Sequence, residues 1–236
     1  MLEAYEACPR RAKLERLDKL CPKCFKGKLK GFETPTCDTC KAVIEQPPPL
    51  VRGSMVHAQA EAYITGREKV LHADLFQVKV LLNKLKAGYQ KRTVRVEVEL
   101  AVDKAWRPVE WFSKDAWLRA KLDVFHFPNP RAAKVIDWKT GRFKPGPAYE
   151  DQLSIYSTVA MCAFDMVAGV AATLVFTDGG EVVDSKVMLR SELPEAKQRW
   201  AKRALPLFND TAFAPTPSMT CRWCNFSRNK GGPCQF

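Results

Sequence analysis

An acid and a lysine lie two positions apart in K-V-I-D-W-K-T-G, the stretch from residue 134 to residue 141. Because side chains on a strand alternate between its two faces, Asp137 and Lys139 are predicted to share one face. Such a pair is most often a solvated ion pair on a protein surface. It can also take part in a metal site, where the lysine stabilises charge that develops on a phosphate group. The surrounding motifs decide between these two interpretations.

A second acid, Asp123, lies near the end of the preceding predicted strand, W-L-R-A-K-L-D-V-F-H-F at 117–127. If this strand pairs with the strand at 132–139 as a hairpin, Asp123 and Asp137 converge at one end of the sheet. Two carboxylates provide the hard oxygen ligands that suit Mg²⁺ or Mn²⁺. The sequence therefore predicts a divalent-metal site, in which Lys139 could orient and activate a water molecule.

Three polar residues on predicted helices could complete this site. His57 follows the glycine of G-S-M-V-H at 53–57, on a helix whose apolar side faces the core. A histidine in this position is either a metal ligand or a core residue with ordinary hydrogen bonds. Gln152 and Tyr156 are four positions apart in Q-L-S-I-Y, so they share one helix face. That face either supports the site or is an ordinary helix surface.

Hydrophobic periodicity predicts the elements that would position these residues. After a helix-like start, the order is helix, helix, three strands, helix, two strands and helix. The predicted ranges are helices from Gly53 onward, at 73–90, 148–167 and 191–207, and strands at 94–102, 117–127, 132–139, 171–177 and 182–187. P-N-P at 128–130 is predicted to end the second strand. This order predicts an α/β fold with a mixed central β-sheet flanked by helices.

Four cysteines form two pairs, C-P-K-C at 21–24 and C-D-T-C at 37–40, with twelve residues between the pairs. This spacing is typical of a zinc ribbon, in which two turns each donate two thiolates to a tetrahedral ion. We expect Zn²⁺ to be bound by these four residues: Cys21, Cys24, Cys37 and Cys40. The ion would supply most of the folding free energy of so short a segment. Q-P-P-P-L at 46–50 is predicted to be a stiff exit from the ribbon.

Three further cysteines, Cys221, Cys224 and Cys234, lie near the other end of the chain. They provide three thiolates, one short of a closed four-ligand site. Cys8 and Cys162 stand alone in the sequence. Cys162 lies in the apolar helical stretch V-A-M-C-A-F, so it is predicted to be a buried small hydrophobic residue.

The composition narrows the class of protein. The chain has 236 residues, of which 46% are hydrophobic and 27% charged, as expected for one large globular domain or one domain with a small appendage. We find neither an apolar run of the roughly 20 residues that span a bilayer nor a signal-peptide pattern. We therefore expect a cytoplasmic protein, in a bacterium or, if phage-encoded, in its host. The net charge of +12 favours a polyanionic partner such as nucleic acid.

The motifs G-x-x-x-H, Asp, D-x-K and Q-x-x-x-Y, in this order, resemble those of the PD-(D/E)xK nuclease superfamily. They are most similar to its RecB-like branch, which includes helicase–nuclease subunits and CRISPR-associated exonucleases. The resemblance covers the chain outside 21–46 and implies a restriction-endonuclease-like fold. It implies these metal ligands: His57, Asp123, Asp137 and the backbone carbonyl of Trp138. It makes Lys139 the catalytic lysine and gives Gln152 and Tyr156 a supporting role toward the site or the DNA. Asp137 stands where many relatives have glutamate, which shortens the reach of this ligand.

The same resemblance gives the terminal cysteines a role. In the RecB-like branch, a cysteine in an early Y-x-x-C-P stretch joins three later cysteines around a [4Fe–4S] cluster, and Tyr5–Pro9 reads Y-E-A-C-P. The resemblance thus implies a cluster held by Cys8, Cys221, Cys224 and Cys234. Nine residues separate Cys224 from Cys234, more than the usual spacing. Zn²⁺ in the same four thiolates therefore stays open as the alternative.

Together these observations predict a Mg²⁺- or Mn²⁺-dependent deoxyribonuclease, and an exonuclease in particular, acting on single-stranded DNA or duplex ends. The expected domains are a nuclease domain formed by 1–20 and 47–236 and an inserted zinc ribbon at 21–46. The alternative is a non-catalytic nucleic-acid-binding protein or an accessory subunit in recombination or replication. The expected type of protein partner is a helicase, a recombination protein or a replication protein, and no membrane is expected.

Overall fold

The computed structural model of the protein describes these residues: 1–31, 34–143 and 146–236. They form two compact units. The middle unit is the continuous segment Pro48–Trp200, and the terminal unit combines Met1–Pro47 with Ala201–Phe236. Both ends of the chain therefore contribute to one unit, and the middle of the chain forms the other.

The strands of the described residues are β1 (Leu29–Lys30), β2 (Thr36–Cys37), β3 (Val94–Val102), β4 (Pro108–Val109), β5 (Leu118–Asn129), β6 (Ala132–Lys139), β7 (Gly169–Phe176), β8 (Val182–Asp184) and β9 (Met188–Leu189). The α-helices are α1 (Leu2–Ala7), α2 (Pro9–Ala12), α3 (Pro48–Thr65), α4 (Lys79–Gln90), α5 (Pro147–Ala163) and α6 (Leu193–Asn209). Within the described ranges, we find no helix with the length and apolar character needed to cross a membrane.

The middle unit is built around a mixed β-sheet, as the sequence predicts. Its spatial order is β4-β3-β5-β6-β7-β8, and β9 pairs with β7 as well. β3, β5 and β6 are antiparallel neighbours, whereas β6 and β7 are parallel. The connection from β6 to β7 contains α5, because parallel neighbours need a long crossover rather than a hairpin. β3 and β6 have the predicted bounds, 94–102 and 132–139.

One face of the sheet packs against α3 and α4. Trp138 of β6 is buried there, in an apolar cluster that both helices and the central strands share. The cluster includes Val56, Ala60, Ile64, Leu82, Leu85, Val94, Val124, Ile136 and Val175. Because neighbours on a strand point to opposite faces, Asp137 and Lys139 lie on the other side of the sheet from Trp138. Trp138 is thus a core residue, with 1% of its surface exposed.

The helix after the ribbon begins earlier than predicted. Residues 46–50 are predicted to be a stiff exit, with helix from Gly53, but α3 begins at Pro48. Proline lacks an amide hydrogen, yet the first amides of a helix have no intrahelical acceptor in any case. Pro48 and Pro49 therefore fit the first turn of α3, and this part of the prediction is wrong.

Other element boundaries also differ from the prediction. The helix predicted at 73–90 starts as a 3₁₀ helix over Ala73–Val78, and the helix predicted at 148–167 ends at Ala163. β5 continues to Asn129, through Pro128, because a register shift between β5 and β6 after His126 tolerates a residue that cannot donate a hydrogen bond. The strand predicted at 182–187 is replaced by two short strands, β8 and β9.

The terminal unit joins the two ends of the chain by side-chain contacts. The hydroxyl of Tyr5 donates to Oδ2 of Asp210 at 2.8 Å. Arg203 donates two hydrogen bonds, at 2.6 and 2.8 Å, to the carboxylate of Glu6. The ribbon segment adds a small antiparallel pair, with Leu29 opposite Cys37. Within the predicted ribbon at 21–46, Phe32 and Glu33 lie outside the described residues.

Candidate active site and cysteine sites

Asp123 and Asp137 lie beside the point where the pairing of β5 and β6 stops. The last paired residues there are Val124 and Ile136, and the two acids directly adjoin them. β5 still pairs with β3 at Leu122, and β6 still pairs with β7 at Asp137. Asp123 therefore lies in the middle of β5, not near its end as predicted, because β5 continues along β3. The two carboxylates are brought to the end of the β5–β6 ladder.

Asp137 is the most enclosed of the predicted polar side chains of this site, with 4% of its surface exposed. Its Oδ2 lies 2.5 Å from Nζ of Lys139. Its Oδ1 accepts hydrogen bonds from Nε2 of Gln152 at 3.0 Å and from the hydroxyl of Tyr156 at 3.1 Å. Gln152 also donates to the Tyr156 hydroxyl at 2.8 Å. The predicted helix-face pair on α5 thus contacts the predicted acid on β6.

Burial controls the protonation of this cluster. Burial raises the pKa of Asp137, and the nearby charge of Lys139 only partly offsets that effect. Burial and the negative charge of Asp137 also raise the pKa of Tyr156, so the phenol keeps its proton and serves as a donor. Oδ2 of Asp137 is buried without a hydrogen bond of acceptable geometry, although Lys139 lies beside it.

Asp123 is held by His57 and by the backbone of β6. Nδ1 of His57 lies 3.1 Å from Oδ1 of Asp123, and the amide of Trp138 donates to Oδ2 at 2.8 Å. Burial lowers the pKa of His57, but Asp123, Asp137 and the Trp138 backbone favour the charged ring more strongly, so the net effect is a raised pKa. α3 and β6 therefore bring His57, Asp123 and the Trp138 main chain together.

The donor set fits a divalent cation. It offers two carboxylates and an imidazole, and one carboxylate oxygen is buried without a hydrogen bond. His57 and Asp123 are in contact, but in the described part of the chain the ligand atoms of His57, Asp123 and Asp137 do not all three lie within 4.8 Å of one another. Asp123 is engaged by His57, and Asp137 by Lys139 and α5. A cation would have to replace the contact between Lys139 and Oδ2 of Asp137.

One network near the site was missed in the sequence analysis. Arg52, in the first turns of α3, donates to both carboxylate oxygens of Asp178 at 2.9 and 2.6 Å. Oδ2 of Asp178 also accepts the amide of Gly141, two residues after Lys139, at 3.1 Å. Arg52 reaches Asp74 as well, at 3.3 Å. The network ties the chain after β6 to α3, but its members are too far apart in sequence for any local spacing to reveal them.

The ribbon cysteines are arranged as a tetrahedral metal site requires. Their sulfur atoms all lie within 4.8 Å of one another. Two measured separations are 3.8 Å for Cys21 and Cys40 and 3.7 Å for Cys24 and Cys37. A tetrahedron with Zn–S bonds of about 2.3 Å has sulfur atoms about 3.8 Å apart. Backbone amides, first that of Gly27, lower the pKa of Cys24 to about 6. At Cys40 a backbone amide is outweighed by burial and the neighbouring thiols, which raise the pKa to about 11. Without a metal these two cysteines therefore hold their protons unequally, and Cys24 favours the thiolate.

The terminal cysteines are arranged differently. Cys8, Cys221, Cys224 and Cys234 all line one cavity of the terminal unit. Leu14, Pro217 and Phe226 are among the apolar residues that complete its wall. Within the described ranges, no three of these four cysteines have sulfur atoms that all lie within 4.8 Å of one another. The four thiols thus surround a shared space but are more widely spaced than those of the ribbon.

Cys162 is buried in α5, as predicted. It lies outside both cysteine groups, and burial raises the pKa of its thiol. The thiol is therefore protonated at neutral pH and behaves as a small packing group.

Comparisons with known proteins cover nearly the whole chain. A family model of the PD-(D/E)XK nuclease superfamily matches residues 1–228. Among solved structures, SSO0001 is similar at 15% identity, over 99% of this chain and 84% of that chain, with a TM-score of 0.44. A candidate exonuclease from Eubacterium rectale is similar at 15% identity, over 78% of this chain and 76% of that chain, with a TM-score of 0.41. No curated protein sequence matches the chain.

Proposed function

Because the chain belongs to the PD-(D/E)XK nuclease superfamily, we propose that it is a metal-dependent DNA nuclease, and an exonuclease in particular. The observation that carries the proposal is the buried Asp137, which Lys139 contacts at one oxygen and Gln152 and Tyr156 contact at the other. An exposed ion pair would not need this enclosure. A carboxylate held so firmly at the end of a strand ladder supports a catalytic role.

The residues that would hold the cation are Asp123, Asp137, His57 and the carbonyl of Trp138. A bound Mg²⁺ or Mn²⁺ would lower the pKa of a water molecule and stabilise charge on phosphate oxygens. Gln152 and Tyr156 fix one oxygen of Asp137 through hydrogen bonds. Asp123 is fixed by His57 and by the Trp138 amide. The second oxygen of Asp137 is contacted by Lys139 but by neither residue of α5, and it is the one a cation would take.

Lys139 would act on the phosphate. Its ammonium group already lies beside Asp137, so a phosphate brought to these carboxylates would come within its reach. There it would stabilise charge on a non-bridging oxygen and help to orient the attacking water. Water adds to phosphorus as the bond to the leaving 3′-oxygen breaks, and that oxygen takes up a proton.

The test compares Lys139→Ala with Lys134→Ala, a matched control. Lys134 lies on the same strand and also pairs with an aspartate, Asp184, at 3.0 Å, but outside the site. With labelled DNA and Mg²⁺ or Mn²⁺, we expect Lys139→Ala to lose activity by at least about 100-fold. Lys134→Ala should retain activity within about twofold. Equal degradation by wild type and Lys139→Ala would refute the catalytic assignment.

The form of the DNA tests the exonuclease assignment. The substrates are a linear single strand, a linear duplex and a covalently closed single-stranded circle of the same sequence. An exonuclease needs an end, so the circle should persist while at least one linear substrate is degraded. Cleavage of the circle at the rate of the linear strand would make the protein an endonuclease.

We further propose that the ribbon binds Zn²⁺ and that the terminal cysteines bind a [4Fe–4S] cluster. The close sulfur separations in the ribbon support a single ion there. The wider spacing around the terminal cavity supports a larger group held by the same number of thiolates. Zn²⁺ is the alternative at the terminal cysteines, and metal analysis separates the two.

A further inference from the structure

We propose that Trp223 and the basic residues around it form a second nucleic-acid site, which stacks an unpaired base of a single strand. The inference rests on the proposed function for its choice of ligand, but it concerns the terminal unit alone. Trp223 lies between two of the terminal cysteines, Cys221 and Cys224, in the 3₁₀ helix Met219–Trp223.

Trp223 is unusually exposed. All six tryptophans lie in the described part of the chain, and Trp223 is the only exposed one, at 61%. Indole rings are normally buried because they carry a large apolar surface. The 3₁₀ helix ends at Trp223 and leaves the ring in solvent, whereas Phe226, three residues further on, is buried. The exposure of the indole therefore favours a ligand with a flat apolar face, and an unstacked base has such a face.

Basic groups surround the ring. The guanidinium of Arg222 lies over the ring, 3.6 Å from its centroid. Nζ of Lys230 donates to the carbonyl of Trp223 at 3.2 Å, which places a second cation at the same turn. Arg228 is exposed in the adjoining 3₁₀ helix, Arg228–Lys230. Arg222 thus covers one face of the indole and leaves the other for a base, with cations nearby for the phosphates.

The charge of this segment favours a nucleic acid over an apolar protein surface. From residue 211 to residue 236 the chain contains three basic side chains, Arg222, Arg228 and Lys230, and no aspartate or glutamate. An apolar protein surface that docks on one tryptophan would not require this excess of positive charge. A single strand presents both a base for the indole and a phosphate for each cation.

The backbone around the ring is well anchored. The amide of Cys224 donates to the carbonyl of Cys221 at 3.0 Å, and the hydroxyl of Ser218 accepts the amide of Thr220 at 3.3 Å. Lys230 closes the same turn from the other side. The ring is therefore presented by a fixed backbone, which reduces the entropy lost when a base binds.

The first test uses the wild-type protein and two ligands. Binding of a labelled oligo-dT and of an abasic strand of the same length is measured by fluorescence anisotropy, without added divalent metal. The two strands carry equal charge and differ only in their bases. We expect oligo-dT to bind about tenfold more tightly and to quench the tryptophan fluorescence. Equal affinities, or no quenching, would refute the site.

The second test uses Trp223→Ala and Trp223→Phe in the full-length chain. Phenylalanine keeps a stacking face, so we expect Trp223→Ala to weaken oligo-dT binding about tenfold and Trp223→Phe by less than about threefold. Phe112→Ala is the control, since Phe112 is 90% exposed but lies on a loop of the middle unit. An equal loss for oligo-dT and blunt duplex would overturn base stacking, and unchanged binding by Trp223→Ala would refute the site.

These results are independent of cleavage. A chain that degrades DNA but binds oligo-dT equally with and without Trp223 refutes this inference and leaves the proposed function standing. A chain that binds through Trp223 but cuts no DNA refutes the proposed function alone. If Trp223→Ala loses its metal content, the comparison of oligo-dT with the abasic strand decides, because it needs no variant.

Discussion

Asp137 is a carboxylate with 4% of its surface exposed, and one of its oxygens is buried without a hydrogen bond. An ionised group in such a place costs stability unless its partners compensate fully. Lys139 lies beside it but is itself partly exposed, and Gln152 and Tyr156 reach only the other oxygen. Burying this carboxylate is therefore costly, and the proposed role of Asp137 as a metal ligand would account for that cost.

Because the buried carboxylate costs stability but is proposed to bind the metal, Asp137→Asn should affect stability and activity differently. In buffer without divalent cations, we expect the free energy of unfolding to stay equal or rise by about 1 kcal/mol, because the buried charge is gone. DNA cleavage should be lost, and added Mn²⁺ should raise the melting temperature of wild type only. Thermal denaturation with and without Mn²⁺ measures both effects.

Asp184→Asn is the matched control for this prediction. Asp184 also pairs with a lysine of β6, but its carboxylate is largely exposed. Its replacement should give no gain in stability and no loss of activity. A strongly destabilised Asp137→Asn variant would mean that the carboxylate is structural.

At this scale much of the candidate site could be predicted from the sequence, because several of its residues are close to one another along the chain. Asp137 and Lys139 share a face because they are two residues apart on a strand. Gln152 and Tyr156 share a face because they are four residues apart on a helix. Those spacings are visible without a structure. The Arg52–Asp178 pair spans 126 residues, so no periodicity could connect its members.

At the scale of elements, the Arg52–Asp178 pair joins the start of α3 to the turn after β7 and to the backbone at Gly141. Hydrogen bonds from Arg52 hold the pKa of Asp178 below its usual range, and the Gly141 amide adds to the effect. A carboxyl with a lowered native pKa contributes stability that is fully present above its unfolded pKa. That stability is lost as the pH falls through the native value.

We therefore predict that Asp178→Asn lowers the free energy of unfolding by about 1 kcal/mol at neutral pH. The difference from wild type should begin to shrink as the pH falls below about 4, the ordinary pKa of an aspartate in the unfolded chain, and should be lost once the pH is below the lowered native pKa. Urea denaturation at a series of pH values measures it, and the double variant with Arg52→Gln isolates the pairwise energy. A difference that stays constant down to pH 2 would contradict the prediction.

The segment 21–46 has little apolar burial of its own. β1 and β2 have two residues each, and the buried residues between 21 and 46 in the described part of the segment are Cys21, Gly27 and Cys37. So few buried apolar groups contribute little folding free energy. With Zn²⁺ bound as proposed, the four-thiolate site would supply the rest.

We predict that Cys37→Ser removes one equivalent of zinc and unfolds the ribbon while the sheet persists. Hydrogen exchange should become fast across 21–46 and stay slow in β3, β5 and β6. Cys162→Ser is the control, because it also replaces a buried cysteine but lies outside both cysteine groups. Slow exchange in the ribbon of Cys37→Ser would show that the segment folds without its metal.

Element types were predicted better than element ends. Alternation at period two predicted the bounds of β3, and the apolar stretch after P-N-P predicted those of β6. Each strand packs one face against α3 and α4. The start of α3 was missed because three prolines indicate a break, whereas the first turn of a helix accepts proline. The end of α5 was missed because Phe164 leaves the helix to stack on Phe125, at 4.8 Å between ring centroids, a contact outside any local pattern.

At the scale of the whole molecule, the terminal unit depends on residues about 200 positions apart. Tyr5 bonds Asp210, Glu6 bonds Arg203, and Cys8 shares a cavity with Cys221, Cys224 and Cys234. The hydrogen bonds are exposed or only partly buried, so each contributes little on its own. Ligands that cross-link the two ends would stabilise the unit far more, since they close a loop of this length.

We therefore predict that Cys8→Ser disrupts the terminal cysteine site and leaves the ribbon site intact. Wild type purified without oxygen should contain one zinc and about four irons, with a broad absorption at the edge of the visible range. Cys8→Ser should lose the absorption and most of its iron but keep its zinc. Hydrogen exchange should speed up at both ends of the chain, since each loses its tie to the other, while β5 and β6 stay protected. A colourless wild type with two zinc ions would establish the zinc alternative, and a variant that keeps its iron and its slow exchange would show that Cys8 is not a ligand.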